Sequence, residues 1–122
     1  MITQNFLMEF ELCLLRAYNH AARKVEGKKG SDVSSRAHLR EDFVKEFMNT
    51  FGEQHSVLGW EIEKGGHDSA KLLQKISKEV EGKVRTFLLQ KEPTDKKTFE
   101  RLVRDLKNDI RSVFYERYLG GV

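Results

Sequence analysis

A chain of 122 residues, 39% apolar and 34% charged with one proline, has the make-up of one packed helical domain over 1–122 and excludes a disordered, fibrous or two-domain protein. The net charge is +3, and the single cysteine excludes an internal disulfide, so a reduced, cytoplasmic setting is expected. No apolar run approaches the roughly 20 residues that cross a membrane. The opening MITQNFLMEFELCLL lacks the basic region of a secretory leader and carries Glu9 and Glu11 inside its apolar part, so no membrane partner is expected.

The first predicted helix runs from about Thr3 to Glu26. Leu7, Phe10, Leu14, Tyr18, Ala21 and Val25 recur at steps of three and four, and Gly27 stops the series after Arg23 and Lys24, cations suited to a helix C-terminus. A second series, Met8, Leu12, Leu15 and Ala22, runs beside it. One core needs one apolar face, so Met8, Leu12 and Leu15 are read as a surface for a second copy or a partner protein.

The second helix starts at Ser34 or Ser35, either a good N-cap, and places Leu39, Phe43, Phe47 and Phe51 at four-residue intervals before Gly52. Between Gly52 and Asp68 lies EQHSVLGWEIEKGGH, about fifteen residues read as a non-periodic connector in which Val57, Leu58, Trp60 and Ile62 supply either a short strand-like crossing or one helical turn after Ser56. Its Trp60, the only tryptophan, is expected to lie against a bundle face: either this segment folds as a covering flap over Met8, Leu12 and Leu15, or another molecule covers them and Trp60 shares that interface.

The third helix is predicted from Asp68 to about Lys91, capped by Asp68 or Ser69, with Leu73, Ile76, Val80, Val84 and Phe87 on one face and Gly82 on a solvated one. The His67-Asp68 pair thus reads as the approach to a cap and the cap itself. Pro93 and Thr94 precede a fourth helix from Asp95 to Leu119, where Phe99, Val103, Leu106, Ile110 and Val113 form the seam of a left-handed bundle. Short loops make sequential helices antiparallel neighbours, so the expected fold is all-α, an up-and-down four-helix bundle.

Chemistry is sparse. His20, His38, His55 and His67 are too far apart for a histidine-based zinc motif, and Cys13 sits among leucines, where a thiolate is disfavoured; no metal, cofactor or catalytic residue is expected. Paired E-x-x-E carboxylates for magnesium fail, since Glu61 and Asp42 are each followed at the third position by a lysine, Lys64 and Lys45. Arg16 and His20 flank AYN, a single pair on which a helical ribonuclease or toxin reading would rest.

The remaining signal is electrostatic. Arg16, His20 and Arg23 fall at i, i+4 and i+7 on the first helix, and Lys24, Lys28, Lys29, Arg36 and Arg40 follow across the corner into the second. Together these eight form a candidate anion or nucleic-acid patch. The primary expectation is a non-catalytic interaction protein that homodimerises or docks to a protein partner; the alternative is a nucleic-acid-binding accessory protein using the basic corner.

Overall fold

The computed structural model describes the backbone of residues 4–26, 33–64, 68–93 and 95–114, and the side chains of residues 5–26, 38–64, 68–93 and 95–112. Five helices carry these residues: α1 Gln4–Glu26, α2 Val33–Glu53, α3 His55–Lys64, α4 Ser69–Gln90 and α5 Lys96–Phe114. No strand occurs among the described residues, so the protein is all-helical.

The expected connector between the second and third helices is corrected to a helix, α3, and the count of helices from four to five. Ser34 and Ser35 lie within the first turn of α2 rather than ahead of it, and Gly52 does not end that helix, which continues to Glu53. The break is the single residue Gln54, whose N–H donates to the Phe51 carbonyl at 3.1 Å while its own carbonyl accepts the Leu58 N–H at 3.2 Å. One residue therefore closes α2 and opens α3. The expected extension of the last helix to Leu119 and the side chain of Val113 lie outside the described residues.

Each long helix packs on two others: α1 on α2 and α5, α4 on α2 and α5. Among the described residues the α1–α4 and α2–α5 diagonals lack that close backbone approach. Cross-contacts fix the directions. Phe10 meets Phe51 while Tyr18 meets Phe43, and Glu11 meets Lys107 while Tyr18 meets Phe99, so α1 runs antiparallel to both α2 and α5. Likewise Arg85 meets Glu41 while Ser77 meets His55, and Lys83 meets Asp109 while Phe87 meets Phe99. Below Gln54, α3 takes over from α2 between α1 and α4, packing on both.

The core is one cluster to which all five helices contribute, and it is rich in rings. Phe99 of α5 is fully buried at its centre. It stacks on Tyr18 of α1 at 4.2 Å between centroids and meets Phe47 of α2 and Phe87 of α4 edge-on at 5.7 and 5.6 Å. These are favourable aromatic geometries, and one side chain thereby ties together all four long helices. Burial, with the negative charges of Asp95 and Glu100 adding to it, raises the Tyr18 pKa and keeps its phenol neutral.

Local signals set the helix ends. Asp68, in an extended conformation, accepts the Ala70 N–H at 3.0 Å and caps α4. Asp95 does the same for α5, taking the Thr98 N–H at 3.2 Å and the Thr98 hydroxyl at 2.8 Å; those two hydrogen bonds hold its carboxyl below the ordinary range. Gly82 lies within α4 with open space where a Cβ would be. Gly82→Ala is therefore expected to stabilise the fold by about 0.5–1 kcal/mol, seen as a higher midpoint in thermal or urea unfolding.

Candidate association site

The inward positions of α1 are filled by Phe6, Phe10, Leu14, Ala17 and Ala21, all buried. Met8 and Leu12 point the other way and are 55% and 43% exposed, while Leu15 and Ala22 are half-buried and touch the core from its edge. Hydrogen-bonded pairs border this outer face. Glu11 reaches Lys107 of α5 at 3.1 Å; on the opposite side Arg16 donates to the Gln54 side chain at 3.4 Å and His20 pairs with Glu46 of α2 at 3.0 Å. Met8 and Leu12 thus form a short apolar strip between these polar pairs.

Trp60 departs from the expectation that it lies against the bundle. Leu58 and Ile62 take the inward positions of α3 and are buried, leaving Trp60 59% and Val57 41% exposed. The Lys64 ammonium sits 3.6 Å from the Trp60 ring centroid, a cation–π contact that leaves most of the indole in water. Gly59 is buried instead and faces α4: an added Cβ there would make ordinary contact with Leu73 at 3.5 Å and Ser69 at 3.6 Å. The four residues read as one interface are thus divided between two helices.

The basic residues are also divided. Arg16 and His20 are turned to Gln54 and Glu46, each engaged with a different residue, so the described contacts do not join them as a catalytic pair. Arg23, Lys24 and Arg40 are exposed near the α1–α2 end. Lys28, Lys29 and the Arg36 side chain lie outside the described residues, as does His67. Arg40 lines a shallow pocket of about 410 Å³ with Leu39, Lys91, Pro93 and Asp95.

Absent from the sequence reading is an open groove of about 600 Å³ between α4 and α5, floored by Leu72, Ile76 and Ile110 and flanked by the Lys83–Asp109 pair at 3.6 Å. Gly82 lines it, and a glycine inside a helical series is the one signal of it in the sequence. Its described lining includes lysines, Glu79, Asp109 and Thr86 but neither histidine nor cysteine.

Cys13 is fully buried, with its sulfur 4.0 Å from the side-chain carbonyl oxygen of Gln54. Burial chiefly, then the nearby Glu9 charge, pushes its thiol up to about 11 against a smaller lowering by Arg16. At pH 8 only about one thiol in a thousand is then ionised. A maleimide or disulfide reagent is expected to label the native protein very slowly and the guanidinium-unfolded protein rapidly; fast native labelling would contradict the burial. His55 is likewise structural: its ring meets Phe51 edge-on at 5.3 Å, its Nε2 lies 3.2 Å from the Ser77 hydroxyl, and desolvation lowers its pKa.

Among the described residues no three His, Cys, Asp or Glu side chains are grouped to hold a metal ion. Among the same residues, no helix is long and apolar enough to cross a membrane. The described residues thus define an all-helical protein with large exposed apolar side chains on three of its helices: Met8 and Leu12 on α1, Val57 and Trp60 on α3, and Leu89 on α4. No family model, curated protein or solved structure matches the chain.

Proposed function

We propose that this protein is a non-catalytic, cytoplasmic interaction module, an up-and-down bundle of four helical columns that pairs with a second copy of itself through the outer face of α1. The observation that carries this reading is the exposure of Met8 and Leu12 above a core already filled by Phe6, Phe10 and Leu14. A methionine beside leucines suits such a face, because its flexible thioether adapts to an opposing surface. The exposed indole of Trp60 adds a second apolar position of the kind that anchors interfaces.

Sedimentation velocity across a concentration series tests it. The wild type is expected to shift from monomer to dimer, and Met8→Glu/Leu12→Glu to remain monomeric with an unchanged unfolding midpoint. A wild type monomeric throughout, or a double variant that associates equally well, overturns the reading.

Nucleic-acid binding is the second reading, supported by the exposure of Arg23, Lys24 and Arg40 near one end of the molecule. It requires binding that weakens steeply with added salt and disappears when these three are reversed to glutamate.

A further inference from the structure

The outer face of α1 has a finer pattern than a patch. Asn5, Leu12 and Asn19 are spaced by seven, Met8, Leu15 and Ala22 are spaced by seven, and the two sets interleave at steps of three and four. This is a heptad seam with Asn5, Leu12 and Asn19 at one core position and Met8, Leu15 and Ala22 at the other. Asn5, Met8, Leu12 and Asn19 lie on the helix surface that the bundle leaves open, and Leu15 and Ala22 are half-buried where that surface meets the edge of the core.

We infer that α1 pairs with α1 of a second copy as a parallel, in-register coiled coil; this rests on the self-association proposed above. Two features on the same face choose the occupant and its direction. In a parallel pair Asn5 meets Asn5 and Asn19 meets Asn19, so each amide finds a hydrogen-bonding partner of its own kind, the arrangement by which a buried asparagine fixes register. In an antiparallel pair with Leu12 against Leu15, Asn5 would face Ala22 and Asn19 would face Met8, leaving desolvated amides without partners.

Charge favours the same direction. Glu11 and Arg16 occupy the two positions that flank the seam, five residues apart, the separation at which they meet across a parallel pair. Among the described residues Glu11 uses one carboxylate oxygen, Oε2, for Lys107, and Arg16 is exposed with a long 3.4 Å bond to Gln54. An acid and a base set to complement a copy of themselves point to this chain rather than to an unrelated partner. The seam is short, but α1 is already held helical by the bundle, so pairing carries no cost of helix formation.

Disulfide trapping of Asn19→Cys tests the arrangement, with wild type as the control because its buried Cys13 does not reach a second copy. Under mild oxidation Asn19→Cys is expected to give a covalent dimer, and adding Leu12→Glu to abolish it. A protein that dimerises in sedimentation while Asn19→Cys stays uncrosslinked overturns the parallel register and leaves self-association standing; a crosslink between Met8→Cys and Asn19→Cys chains would then identify the antiparallel pair. A protein that never dimerises removes both.

Discussion

Phe99→Ala is expected to destabilise the protein by about 3–5 kcal/mol, the range for removing a fully buried phenylalanine. Three rings lean on this one, from α1, α2 and α4, and all would lose contact with it at once. The neighbouring side chains are themselves buried on separate helices, so they cannot close the gap without moving the helices that carry them. Urea unfolding followed by circular dichroism measures the loss. A shift below about 1.5 kcal/mol would mean that the four long helices do not converge on this ring. Phe99→Leu, which keeps most of the apolar volume, is expected to lose clearly less.

Leu58→Ala should follow, at about 2–4 kcal/mol, because Leu58 is fully enclosed where α3 lies between α1 and α4. Its proper control is Trp60→Ala, two positions along and a larger deletion. Trp60 meets Lys64 and is otherwise largely in water, so its loss should change stability by no more than about 1 kcal/mol. If residues 53–66 were a loose covering segment held by its tryptophan, the ranking would invert. Both variants in the same urea assay decide between a helix built into the core and a flap laid over it.

Those two residues also show why α3 is hard to read from sequence. Its buried apolar signal is only Leu58 and Ile62, while the larger Trp60 and Val57 face outward and blur the period. The glycines mislead in the same direction. Gly52 falls in the exposed final turn of α2, where it is tolerated, and Gly59 faces α4 from within α3 rather than marking a stop. By contrast, α1, α4 and α5 are legible as long series at steps of three and four, reinforced at the starts of α4 and α5 by Asp68 and Asp95.

The α1 surface is legible in part. Of the second apolar series, Met8 and Leu12 are exposed while Leu15 and Ala22 pack at the edge of the core, a division that periodicity alone does not give. The basic strip rests on charge spacing alone. Spacing does not foresee that Gln54 and Glu46, 38 and 26 positions away in sequence, engage Arg16 and His20. Such partners depend on how helices are juxtaposed, which local periodicity does not encode.

The stacking of Tyr18 on Phe99 has a kinetic consequence. The two rings come from the first and last described helices, so most of the polypeptide lies between them. Closing that span is a long-range event in a molecule whose helices otherwise form locally, and its loop entropy should fall on the barrier to folding. Refolding speed is then governed by how soon the fifth helix finds the first, and joining the two ends of the chain by a short linker should accelerate it.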